Sequence, residues 1–292
     1  MNPGRGRTPG AGPAVPWRRA RAGLITAAVL LALPGCTGPV GAEPGDGTGS
    51  DASASATVTV FAAASLAGAF TALADRFEAE NPGATVMLTF AGSADLVSQV
   101  GEGAPADVVA TADQTTMARL ADDDLLEGSP VVFASNTLEI AVPPDNPAGI
   151  RTFADLAASG LNLVVCAPQV PCGAATETAA RAAGIQLRPV SEENSVTDVL
   201  GKVRSGEADA GLVYRTDVQA AGQEVRGIGF TESSTAVNEY PIAVLRGTVS
   251  GGNGAEGGEG VGSGDGPADA FVDFVTGEAG QRVLAGAGFG AP

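Results

Sequence analysis

Two stretches of this chain are built alike, and together they narrow the folds open to it. Thr57–Phe61, within TVTVFAAASLAGAF, is a short run of β-branched and aromatic residues of the kind that makes a buried strand. Three small alanines follow, and Ser65 then stands where a helix opens. Leu66, Phe70, Leu73 and Phe77 fall on one face of that helix, which runs through Glu78 until Asn81-Pro82-Gly83 stops it. Thr85–Phe90 (TVMLTF) repeats the strand, and Ala91-Gly92-Ser93-Ala94-Asp95 repeats the small-residue turn with its serine. A helix is then read from Leu96 to about Gly101. A serine in such a turn caps the helix by accepting from its first amides. With its hydroxyl turned outward it becomes a donor beside several free N–H groups, which suits an anion. Two such turns can lie side by side at the carboxyl edge of a parallel sheet, the usual ligand crevice of open α/β folds.

The alternation continues along the chain. Val108–Thr111 reads as a strand and Gln114–Ala121 as a helix. The apolar stretch from Pro130 to Pro144 reads as a strand crossing between two lobes. A short helix over Thr152–Ser159 precedes a buried strand over Leu161–Cys166, and an alanine-rich helix runs through Ala183. Ser195 or Asn194 caps a helix over Val196–Arg204. Ala208–Tyr214 and Glu224–Phe230 read as strands, and Glu239-Tyr240-Pro241 leads into another over Ile242–Leu245. Residues 247–266 are a Gly-rich surface loop, and one last helix spans Ala268–Ala285. Alternating strands and helices imply α/β layers with mainly parallel sheets.

Composition excludes several functions. Five arginines and no acid precede Cys36, and Gly23–Leu33 is apolar but too short to span a bilayer. Residues 1–35 therefore read as a secretory signal. It ends in Leu33-Pro34-Gly35-Cys36, which resembles a lipobox whose cysteine, Cys36, becomes the lipidated N-terminus. Residues 36–56 form a flexible tether. The chain has 16 basic and 33 acidic residues, and the signal carries away five basic groups and no acidic one, leaving about −22. Such a charge argues against nucleic acid. The absence of histidine removes Ser-His and Cys-His nucleophile pairs and the usual zinc sets. With Cys36 lipidated, Cys166 and Cys172 remain. Outside the cytosol an even remainder reads as a disulfide, with a free reactive pair as the alternative.

VFAAASL (Val60–Leu66), TFAGSADL (Thr89–Leu96), GAPADVVATAD (Gly103–Asp113), GLVY (Gly211–Tyr214), EYPIAVL (Glu239–Leu245) and the final GFG stand in the order seen in molybdate-binding proteins of bacterial ABC transporters, and from Thr57 to Phe289 the chain resembles that family. The resemblance implies a type II periplasmic-binding-protein clamshell, an α/β fold whose two lobes are joined by crossing strands. Lobe 1 would take residues 57–138 and 242–292, and lobe 2 residues 139–241. It also implies a molybdate or tungstate dianion held by neutral donors, with no cofactor. Carried over by motif, these are the hydroxyls of Ser65, Ser93 and Tyr214 and the backbone amides of Cys172 and Val196. Two departures stand out: Cys172 replaces a small residue, and Gly92 replaces a serine, at the expected loss of one supporting hydrogen bond. A Cys166–Cys172 bridge would hold the Cys172 amide in place. The implied role is a lipid-anchored, monomeric, extracytoplasmic receptor that delivers its anion to an ABC permease. The rivals are a binding protein for another tetrahedral oxyanion such as sulfate, a sensor of the same shape, and an enzyme with a Cys172 thiolate.

Overall fold

The computed structural model describes residues 56–247 and 266–292. Cys36, the signal, the tether up to residue 55 and residues 248–265 of the Gly-rich insertion lie outside the described residues. The chain opens with β1 (Ala56–Ala63), a 3-10 turn (Ala64–Leu66) and α1 (Ala67–Glu80). Next come β2 (Ala84–Ala91) and α2 (Ser93–Gly101), then β3 (Val108–Ala110) and α3 (Gln114–Asp122). β1 lies between β2 and β3 and is parallel to both. The register pairs Ala63 with Ala91, so β1 and β2 end level and bring both serine turns to one sheet edge.

The stretch read as one crossing strand is two. β4 (Leu126–Asn136) and β5 (Leu138–Val142) are separated by Thr137 alone yet belong to different sheets. The second sheet is built from β5, β6 (Leu163–Cys166), β7 (Ser191–Glu193), β8 (Ala210–Tyr214) and β9 (Arg226–Ile228). Between these strands lie α4 (Pro171–Ala183), α5 (Val196–Arg204) and α6 (Arg215–Ala221). The chain returns to the first sheet on β10 (Asn238–Leu245) and closes with α7 (Pro267–Thr276) and α8 (Glu278–Gly286).

The strand orders are β2-β1-β3-β10-β4 and β7-β6-β8-β5-β9. Both sheets are mixed. β6 runs parallel to β7 and β8, whereas β10 and β5 pair antiparallel with their neighbours. The antiparallel share thus comes from the strands that carry the chain from one sheet to the other. Asn238, Glu239, Tyr240 and Pro241, assigned by sequence to the second lobe, pair with β4 in the first sheet, and Leu138, assigned to the first lobe, pairs with Tyr214 in the second sheet. A proline fits inside β10 because the register shifts between Tyr240 and Pro241, where the missing N–H breaks no regular ladder.

Sequence periodicity also reads one closing helix where there are two. At Gly277 the backbone turns extended, with ψ 172°. A side chain at Gly280 would meet the carbonyl oxygens of Phe274 and Val275 at 2.4 Å, so α8 folds tightly against the end of α7.

Aromatic packing links the core to the crevice. Leu66 at the end of the 3-10 turn and Phe70, Leu73 and Phe77 of α1 are all buried, as their helical spacing requires. Phe77 packs edge-on against Phe271 of α7, Phe271 against Phe70, and Phe70 against Phe133 of β4. Phe133 meets Tyr240, and Tyr240 meets both Phe289 and Tyr214, with ring centroids 5.5 and 5.9 Å apart. Offset and edge-on ring pairs of this kind resist rotation. They fix the two tyrosines that stand behind the crevice.

Candidate functional site

The carboxyl edges of the two sheets face each other across a small cavity. The first sheet supplies Ala63, Ala64, Ser65, Gly92, Ser93 and Ala112. The second supplies Val170, Pro171, Cys172, Asn194, Ser195, Val196 and Tyr214. All five residues picked from the sequence, Ser65, Ser93, Cys172, Val196 and Tyr214, line this one space. The centre of a water-sized sphere can roam about 20 Å³ of it. One such sphere needs roughly 10–15 Å³, so the space between the lobes is small and favours a compact ligand.

Ser65 does not cap a helix. It lies within the 3-10 turn, and its Oγ is 3.0 Å from the Tyr240 hydroxyl. When Tyr240 donates in that bond, the Ser65 O–H is free to donate elsewhere. Ser93 is the first residue of α2, which begins three residues before the Leu96 expected from sequence. Its Oγ accepts from the Ala112 N–H at 3.0 Å, and this too leaves the O–H as a donor. Ser93 thus accepts from the protein and keeps a proton to give, and Ser65 does the same when Tyr240 is the donor.

The second lobe contributes amides and a phenol. Cys172 lies in the first turn of α4 and Val196 opens α5, so their N–H groups have no carbonyl partner within the helix. Ser195, and not Asn194, caps α5 by accepting from the Asp198 N–H. The Cys172 sulfur is bonded to Cys166, which ties the start of α4 to the end of β6 and leaves no thiolate at that helix terminus. Tyr214 ends β8 and is 1% exposed. Its buried hydroxyl makes no hydrogen bond of good geometry among the described residues, although the Tyr240 hydroxyl stands near enough to interact with it.

None of the lining residues is charged. Burial holds the Tyr214 hydroxyl well above its ordinary titration range, with the neighbouring Tyr240, Asp113 and Asp217 adding to the effect, so it is a neutral donor. The carboxylate beneath it, Asp217, is buried and accepts from the Tyr214 N–H at 2.9 Å. Burial raises its pKa from 3.8 to about 7, against the smaller lowering effect of that hydrogen bond. A raised folded-state pKa means that Asp217 stabilises the fold fully below about pH 4 and loses this contribution as pH rises through about 7. Its size is on the order of 4 kcal/mol at most. Urea unfolding between pH 4 and 8 should show this decline in the wild type and lack it in Asp217→Asn; equal slopes would refute it.

Sequence reasoning missed Tyr240, the Ala112 amide and the Asn194 carbonyl. Only β-sheet pairing brings Tyr240 to Ser65, and no local pattern marks a contact between residues so far apart. Gly92 also has a reason that sequence does not give. A side chain there would project onto the Asn194 carbonyl of the opposite lobe. The supporting hydrogen bond expected from a serine therefore has no room in this arrangement.

Residues 58–290 match the bacterial extracellular solute-binding protein family. The molybdate-binding protein ModA of Mycobacterium tuberculosis is 43% identical over 276 residues, covering 94% of this chain and 99% of that relative. The molybdate-binding protein ModA of Escherichia coli is 32% identical over 198 residues, covering 64% of this chain and 77% of the relative. Among solved structures, the periplasmic molybdate-binding protein of Azotobacter vinelandii superposes with a TM-score of 0.63 at 21% identity, covering 80% of this chain and 99% of that one. The sulfate-binding protein SubI of M. tuberculosis gives 0.60 at 22% identity, covering 80% and 86%. At these identities the structures speak for the two-lobed fold and not for the anion. The family match over nearly all described residues and the extent of the 43% identity carry the assignment: this chain belongs to the bacterial extracellular solute-binding proteins, in the family that includes ModA.

Proposed function

We propose that this protein captures molybdate outside the cytoplasm and hands it to an ABC transporter permease. The observation that carries the reading is the Tyr214 hydroxyl: buried, neutral, without a hydrogen bond of good geometry among the described residues, and lining the same uncharged cavity as two serine hydroxyls. Leaving such a group unpaired costs about 1–3 kcal/mol, which a bound acceptor would recover. The ligand must therefore accept from every side and donate to none. A fully deprotonated tetrahedral dianion meets that demand.

Ser65, Ser93 and Tyr214 would donate their hydroxyl protons, and Cys172 and Val196 their amides. The dipoles of α2, α4 and α5 favour negative charge at their N-termini, where Ser93, Cys172 and Val196 lie. The strong negative charge of the chain works against an anion, but exposed charges beyond about 8 Å are largely screened at physiological ionic strength. Neutral donors also explain how the site can release its cargo, since no ion pair has to be broken. Tungstate, with the same charge and shape, would bind as well. The molybdate-binding relatives favour molybdate over sulfate, and the lipobox-like Leu33-Pro34-Gly35-Cys36 supports lipid anchoring through Cys36 on the outer face of the membrane.

Calorimetric titration with molybdate, tungstate and sulfate tests the reading. Tight one-to-one binding of the first two with weak sulfate is expected. Tight sulfate with weak molybdate would move the protein to another oxyanion system, and silence to all three would overturn it.

A further inference from the structure

Beside the cavity the two lobes approach closely at a position that carries no side chain. Gly92 precedes α2 in the first lobe, and Asn194 precedes the cap of α5 in the second. A Cβ on Gly92 would lie 2.2 Å from the Asn194 carbonyl oxygen and 3.2 Å from its carbon. Carbon atoms in contact prefer about 3.5–4.0 Å, so any residue but glycine would have to push Asn194 away. The obstacle is main chain and cannot swing aside as a flexible side chain would.

The backbone at Gly92 gives no other reason for glycine. Its φ of −58° and ψ of 139° suit any residue. The requirement for glycine arises only when the lobes are together. We propose that Gly92 sets how far the cleft closes, and through that the affinity for the anion. This inference rests on the oxyanion reading above.

Alanine at this position would hold the lobes roughly 1 Å further apart, given the contact distances of carbon and oxygen. Hydrogen bonds weaken steeply over such a distance. The donors of the second lobe, Cys172, Val196 and Tyr214, would no longer reach an anion seated on Ser65 and Ser93. A cavity of about 20 Å³ would also widen enough to admit water beside the ligand. Gly92 thus acts by positioning, with no contact of its own to donate.

The test compares Gly92→Ala with wild type and with Gly68→Ala. Gly68 lies on α1 and has nothing within 4 Å of a built Cβ, so it controls for a glycine-to-alanine change in itself. Purified full-length proteins are titrated with sodium molybdate and heated with and without it, and loaded samples are examined by X-ray scattering. For Gly92→Ala the Kd should rise at least tenfold and the molybdate-saturated radius of gyration should exceed that of wild type. Its ligand-free Tm should fall by less than its loaded Tm, and Gly68→Ala should bind as wild type does. Unchanged affinity and radius in Gly92→Ala would overturn the inference. So would a ligand-free Tm that falls as far as the loaded one, because Gly92 would then serve the fold and not closure. Wild-type protein that binds no molybdate would instead overturn the oxyanion reading, and the inference with it.

Discussion

Replacing Ser65 and Ser93 together by alanine should weaken molybdate binding by roughly 10²- to 10⁴-fold. A hydrogen bond to a charged group contributes about 1.5–3 kcal/mol, and two are removed. The change also touches the fold, and that part has to be separated. Ser65 partners the buried Tyr240 hydroxyl, and Ser93 accepts from the buried Ala112 amide. Each group left without its partner costs about 1–3 kcal/mol of stability. Adding Tyr240→Phe removes the hydroxyl that Ser65→Ala deprives of a partner, so the Ser65→Ala, Tyr240→Phe pair should regain part of the stability lost by Ser65→Ala alone. It should regain none of the binding. A folded double alanine variant that binds molybdate within tenfold of wild type would remove both serines from the ligand set.

These serines were legible in the sequence because their context is local. A β-branched run, a few small residues and a helical period follow one another within about fifteen positions in each case, and strand and helix periodicities differ enough to mark the switch between them. The position of a serine at the switch is then visible, though its bonding is not. Capping chemistry made an N-cap the ordinary reading of Ser65, yet Tyr240 takes its hydroxyl instead. That contact depends on the register of β10 against β4 and on the irregularity at Pro241. Register of this kind is a property of two distant segments together. The same holds for Gly92, whose reason lies on Asn194 in the other lobe. The split of the last helix at Gly277 was missed because apolar periodicity runs across it, and only the packing of Gly280 against α7 reveals the bend. Cysteine counting, in contrast, needs no three-dimensional information. It pointed to Cys166 and Cys172, which are bonded to each other in the structure.

Tyr214→Phe should move stability and binding in opposite directions. In the absence of anion, the wild-type hydroxyl is buried without a hydrogen bond of good geometry among the described residues, at a cost of about 1–3 kcal/mol. Phenylalanine keeps the ring, its packing against Tyr240 and its burial, and removes only that cost. The ligand-free variant should therefore unfold at a higher temperature than wild type, by roughly 2–8 °C for a chain of this size. Its molybdate affinity should nevertheless fall about 10- to 100-fold, because a donor to a charged ligand is gone. Saturating molybdate stabilises in proportion to the logarithm of its concentration over Kd, so the ligand-induced rise in Tm should shrink in the variant. Differential scanning fluorimetry with and without molybdate reads both effects in one experiment. A ligand-free Tm below that of wild type would mean that the hydroxyl is satisfied in the free protein. An unchanged ligand-induced rise would mean that it never meets the anion. The combination expected here, more stable alone and weaker in its grip, is the signature of a group kept for its ligand at the fold's expense.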